Sequence, residues 1–246
     1  MIGATIVGLP IFGALACVLV VYAGAVMQAS TGVGVGILSS PVLLLVDPDF
    51  IPAAVVVSVL PLSFSVAIAD RAHIDRRGVT AALIGRVPGL VFGAVVVAAI
   101  SDDVLAILVS TTVLLGVAVS ITTKRFTPTT PALVLAGFGS GFTGTAVGVG
   151  GPPIAMTYQH SDPVTMRATI SFFFSVGSVL TAIALVVAGE LGRRQLELVA
   201  LLLPSILLGL VTARRYKSKL LGSGVRPVVL GLSAFSAVAL LVRTLV

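Results

Sequence analysis

The residues Gln28-Ala29-Ser30-Thr31-Gly32-Val33-Gly34-Val35-Gly36-Ile37-Leu38-Ser39-Ser40-Pro41 decide how this chain folds. They sit in an apolar segment that begins at Met1 and meets no charged residue before Asp47. Three glycines two apart, with hydroxyls on both sides, oppose a continuous α-helix, because each Gly costs ~1 kcal/mol relative to Ala. In hydrocarbon, broken backbone persists only where protein or a water-filled cavity covers its freed N–H and C=O groups. Gly32 and Gly36 also read as a small-xxx-small pair that lets helices approach closely. A second copy, Gly144-Thr145-Ala146-Val147-Gly148-Val149-Gly150-Gly151-Pro152-Pro153, lies inside another apolar run. Two copies in matching places favour a paired break over simple helix packing.

Composition sets the class. Of 246 residues, 57% are hydrophobic and 10% charged, against about 25% charged in a soluble domain. Apolar runs of the ~20 residues that a spanning helix needs recur along the chain. The expectation is therefore an all-α integral membrane protein with no soluble domain. The net charge of +6 reads as cytoplasmic-loop Lys and Arg, not as a nucleic-acid surface. The single cysteine, Cys17, excludes an internal disulfide. Ala14 to Cys17 resembles a lipoprotein cleavage box, but the basic region of a signal peptide is absent, so Cys17 reads as an ordinary apolar residue.

Turns and charges divide the chain into apolar pieces at 4–28, 37–46, 51–69, 79–100 and 104–122, then 132–146, 152–159, 164–188, 196–213 and a last helix to about 244. The halves repeat. Gly32 and Gly34 match Gly148 and Gly150, Pro88 matches Pro204, and Gly93 matches Gly209, each 116 positions apart. The expected units are a first membrane repeat over 1–121, a linker over 122–131 and a second repeat over 132–246. Broken or re-entrant helices are expected at 28–46 and 143–159. If each break returns to its starting side, each half has five membrane pieces and the second half is inverted. Arg71, Arg76, Arg77, Lys124, Arg125, Arg167, Arg214, Arg215, Lys217, Lys219 and Arg226 then share one face. Arg193, Arg194 and Arg243 share the other with Asp47, Asp49, Asp102 and Asp103. The positive-inside rule prefers this arrangement, with both termini outside. Discontinuous helices in corresponding places of two repeats mark the binding site of many secondary transporters.

These residues resemble the TauE/SafE family of permeases for sulfite and organosulfur anions. The family's first-half pattern, G-x-G-G-G-x-x-x-x-P, is met by Gly32, Gly34, Gly36 and Pro41, with Val35 in place of the third of its four glycines. The second-half form G-x-G-G-P-P is met by Gly148, Gly150, Gly151, Pro152 and Pro153. Arg167-Ala168-Thr169 before Phe172-Phe173-Phe174 is a further likeness, and the resemblance covers essentially the whole chain. It implies a bacterial cytoplasmic-membrane permease for a small anionic substrate such as sulfite or an organosulfonate.

Chemically, two short helices starting near Gly36 and Pro152 would aim free N–H groups and positive dipole ends at an anion. Glycine lets the ligand reach that backbone. Ser30, Thr31, Ser39, Thr143 and Thr145 supply hydroxyl donors. Gln28 has two competing roles, donating to the anion or satisfying the broken backbone. Arg86 is an ionisable residue inside a helix, hence a site candidate, although near a helix end it can snorkel to the surface. Arg167 reads equally as an entrance charge and as a positive-inside anchor. Glu197 is expected to complement a helix dipole. Phe64 and the Phe172 run read as lipid or core contacts before gate residues. No enzyme is expected. His73 and His160 lie at loop ends, no metal-ligand spacing is present, and no cofactor is implied. An anion channel could use the same site. Direction, oligomeric state and a coupling ion (H+ or Na+) have no sequence signature here.

Overall fold

The computed structural model describes residues 5–121, 129–216 and 225–245. Most of the expected linker, including Lys124 and Arg125, lies outside the described residues, as do Lys217 and Lys219 of the loop before the last helix. A two-residue antiparallel hairpin, β1 (Thr5–Ile6) and β2 (Leu9–Pro10), opens the chain. It replaces the first turns of the helix expected from residue 4, because Gly8 turns the chain at φ +70° and the helix starts only after Pro10. Then follow α1 (Ile11–Thr31), α2 (Val35–Val46), α3 (Ala53–Ser58), α4 (Leu60–Ala69), α5 (Arg76–Val97) and α6 (Asp102–Ile121). The second half gives α7 (Thr130–Ala146), α8 (Gly151–Tyr158), α9 (Pro163–Val187), α10 (Arg193–Arg215) and α11 (Val225–Leu245).

Among the described residues, five helices are long and apolar enough to cross a membrane, α1, α5, α6, α9 and α10. Shorter apolar helices accompany them. Large apolar side chains such as Phe12, Leu135 and Phe235 face outward, which suits a lipid solvent and would be a liability in water. The chain is an all-α integral membrane protein. The boundaries follow local chemistry. Asp75 starts α5 three residues before the expected Val79, its Oδ1 accepting from the Gly78 N–H at 3.0 Å. Asp162 caps α9 in the same way through Val164 and Thr165. The expected helix over 51–69 divides at Val59, with Pro61 in the first turn of α4.

The ends of the helices are tied into two clusters. Arg194, at the start of α10, donates to the Val7 carbonyl before α1 and to Asp47 after α2, at 2.6 and 2.5 Å. The start of α1 and the end of α2 therefore lie at one end of the bundle. At the other end, Tyr158 closing α8 donates to Asp75 before α5 at 2.9 Å. Arg167 near the start of α9 pairs there with Asp70 after α4. Close packing sets the rest. Gly85 and Gly89 of α5 abut Val134 and Phe138 of α7, while Gly137 and Gly141 of α7 abut Ala82 and Arg86. The two helices run parallel with almost nothing but backbone between them, the small-residue packing that substitutes for hydrophobic force in lipid. Likewise α1 lies along α10, α4 along α9 and α6 along α11.

Candidate functional site

Both apolar runs break where the glycines stand. Helix α1 ends at Thr31, and Gly32 closes it in the left-handed conformation at φ +93°, its N–H donating to the Gln28 carbonyl at 2.7 Å. The chain turns through Gly34 and re-enters helix at Val35. In the second half α7 ends at Ala146, Gly148 turns at φ +71°, and α8 starts at Gly151. The two breaks touch. A methyl group on Gly36 would strike the Gly148 carbonyl oxygen and stand 3.3 Å from Val149 Cα.

A cavity of about 50 Å³ lies where they meet. Gln28, Gly34, Gly36, Gly148, Gly150 and Gly151 line it, together with Arg86 from α5 and Phe174 and Ser178 from α9. Arg86 dominates its electrostatics. It is the eleventh of the 22 residues of α5, so it sits at mid-depth. It is 2% exposed and does not snorkel. Its Nη1 donates to Ser140 Oγ at 3.2 Å and its Nη2 to Thr181 Oγ1 at 3.4 Å, while its Nε has no partner. The guanidinium carbon stands 4.8 Å from the centre of the Phe173 ring. Gly177 makes the room, since a Cβ there would overlap the guanidinium. Among the described residues no carboxylate reaches Arg86; the ion pairs formed use Arg167, Arg193 and Arg194. A buried cation without a counter-charge is costly, and the cheapest remedy is a bound anion.

The two helix starts are unequal. The first N–H of α2, on Val35, is already taken by Gln28 Oε1 at 3.0 Å, which leaves those of Gly36 and Ile37 in the first turn beside the cavity. In α8 the second and third residues are Pro152 and Pro153, which have no N–H to offer. That start presents only Gly151 and the preceding Gly150. Gln28 thus satisfies broken backbone, its Nε2 lying 3.5 Å from Ser63 Oγ, while still lining the cavity.

Other residues named from the sequence lie elsewhere. Ser39 donates to the Val35 carbonyl inside α2. Ser30 and Thr31 donate back to Val26 and Met27 at 2.8 and 3.0 Å. With Pro152 they line a second cavity of about 250 Å³ that also holds Gln159 and Ser161. Val33 and Ile37 border both cavities. Thr145 bonds to Thr181 at 3.1 Å, behind Arg86. Thr143 donates to the Gly139 carbonyl, Gly32 packs on the backbone of Arg167, and Pro153 faces Gly139. Arg167, 3% exposed, is engaged by Asp70 through Nε at 2.8 Å and Nη2 at 2.5 Å. Sequence reasoning missed Ser140, Thr181, Ser178 and Gly177. A lone hydroxyl in an apolar helix usually bonds its own preceding carbonyl, so these residues carry no signal until a partner helix is placed. Phe174, read as core or lipid-facing, lines the cavity, whereas Phe172 is partly exposed.

A bundle of apolar spans enclosing, at mid-depth, a polar cavity between two broken helices defines an integral membrane transporter. The model of the sulfite exporter TauE/SafE family matches residues 16–240, and the chain belongs to that family. This is a family of membrane transporters, not of enzymes. No curated protein and no solved structure matches the chain.

Proposed function

We propose that this protein is a secondary transporter of a small sulfur-containing oxyanion, sulfite in the first instance, held against Arg86 between the two breaks and moved by alternating access. The single observation that carries this reading is a guanidinium buried at mid-depth, with no carboxylate partner among the described residues, lining a cavity that both breaks share. A space of about 50 Å³ holds roughly three to five water-sized centres at ~10–15 Å³ each. That suits one sulfur and three oxygens and is tight for an organosulfonate with a carbon tail. The low exposure of Arg86 and Gln28, 2% and 4%, favours a carrier over an open channel, whose pore would leave both wet.

Inverted repeats over 1–121 and 132–246 fit the same reading. Exchanging the halves maps the α1–α10 contact onto α7–α5 and the α2–α11 contact onto α8–α6. It maps α4–α9 and α6–α11 onto themselves, as any twofold axis does. Helix α1 starts at the Arg194 end while α7, parallel to α5, starts at the Asp75 end, which favours an axis in the membrane plane. The 250 Å³ cavity is then the vestibule on the side of the Asp70 and Asp75 cluster, and Val33 with Ile37 is the partition that must move. By the positive-inside rule that side is cytoplasmic, both termini are outside, and the membrane is the bacterial inner membrane. Radiolabelled sulfite entering proteoliposomes preloaded with unlabelled sulfite tests the function. Uptake should saturate, be competed by unlabelled sulfite more than by sulfonates or carboxylates, and fall in Arg86→Met. Uptake no faster than in protein-free vesicles would refute it.

A further inference from the structure

Arg86 also bears on what drives the transport cycle. A carrier must return after releasing its cargo, and here the empty site keeps a full positive charge. The guanidinium cannot shed its proton. No group facing it can change charge in compensation, because the cavity lining contains no Asp, Glu, His, Lys, Cys or Tyr. The elements around it are equally bare. Helices α2, α3 and α7 carry no ionisable residue. In α1, Tyr22 donates to Thr212 and Cys17 is buried away from the cavity. In α8, Tyr158 donates to Asp75, and in α9, Arg167 is held by Asp70. A sodium ion next to Arg86 would be repelled by it.

Resting on the transport reading above, we propose that the protein works as an anion exchanger. The site changes sides readily with an anion on Arg86 and slowly when empty, so that efflux of one anion is coupled to influx of another. Bound anion cancels the guanidinium charge, and the occluded state then crosses no barrier of unpaired charge in low dielectric. When the site is empty, the support it has among the described residues is the Ser140 and Thr181 hydroxyls and the faces of Phe173 and Phe174. They are enough to hold the side chain in place, but they leave Nε unpartnered. The counter-substrate is another small oxyanion of the same class, since the site distinguishes charge and size and nothing else on its lining is ionisable.

The test uses purified full-length protein in proteoliposomes loaded either with unlabelled sulfite or with gluconate, which is too large for the cavity. Initial uptake of external radiolabelled sulfite should be about tenfold or more faster into the sulfite-loaded vesicles. Equal initial rates, both above the protein-free control, would overturn the exchange inference while leaving sulfite transport standing. Rates at the protein-free level in both would overturn the transport reading and this inference with it.

Discussion

Replacing Arg86 with Met separates a binding residue from a structural one, because the two roles predict opposite signs. Burying one unpaired cation costs several kcal/mol. The structure offsets this with two hydrogen bonds at 3.2 and 3.4 Å. Both are long, so each is worth about 1 kcal/mol, below the ~1.5–3 kcal/mol of a well-formed hydrogen bond to a charged group. Stacking of the guanidinium over Phe173 at 4.8 Å adds up to about 2 kcal/mol. Removal of the guanidinium orphans neither hydroxyl, since Ser140 still donates to the Gly150 carbonyl and Thr181 still bonds Thr145. Arg86→Met should thus be between neutral and ~2 kcal/mol more stable than the native chain. Its anion affinity moves the other way. Loss of one charge-assisted hydrogen bond, ~1.5–3 kcal/mol, weakens binding roughly ten- to a hundredfold. Thermal unfolding in detergent reads both at once. Sulfite at a hundred times its Kd stabilises the native protein by ~2.7 kcal/mol, and the variant at the same concentration should keep only about 0.4–1.4 kcal/mol of that. A variant that melts well below the native protein, yet rises with sulfite by as much as the native protein does, would show that Arg86 holds the fold and does not hold the anion.

Arg167→Gln should do the reverse. It removes the guanidinium that Asp70 pairs with in a mostly buried ion pair, should lower stability by about 3 kcal/mol, and should leave the KM for sulfite flux unchanged. Gly36→Ala pushes a methyl into the Gly148 carbonyl. Overpacking of ~1–3 kcal/mol is expected, with flux lost. Gly231→Ala, with nothing within 4 Å of the added carbon, should be neutral or slightly stabilising by helix propensity; the pair can be compared in one unfolding and flux series. Asp162 accepts backbone hydrogen bonds from Thr165 and Val164, which hold its carboxyl below the usual aspartate range. The cap therefore stabilises α9 above the ordinary pKa of ~3.9 and is lost as pH falls through the lowered one. The melting temperature should decline across that acid window in the native protein and less steeply in Asp162→Asn, which keeps an accepting oxygen at every pH.

Much of the architecture was legible because hydrocarbon is an exacting solvent. A run of glycines in a span has few stable outcomes there, so Gly32 to Gly36 and Gly148 to Gly151 could be read as breaks, and the structure interrupts the helices between Thr31 and Val35 and between Ala146 and Gly151. Boundaries shifted by one to three residues where side-chain caps, Asp75 above all, extended a helix beyond its apolar run. The site was legible in its backbone and much less so in its side chains. A helix start in sequence says nothing of what occupies its N–H groups, and here Gln28 takes one while two prolines remove two others.

The arginines show why. Arg86 and Arg167 both lie in apolar stretches, and by position alone each reads as a surface anchor or as a ligand. What separates them is the far partner. Asp70 lies 97 residues from Arg167, and the Gly177 gap that admits the Arg86 guanidinium lies on a helix of the other half. An arginine given a carboxylate is stabilised by it and becomes part of the scaffold. One given only hydroxyls and aromatic rings keeps its charge uncancelled until something negative enters the cavity. The same residue type is thus structural at one depth and receptive at another, and only the tertiary fold, by supplying or withholding a counter-charge, decides which.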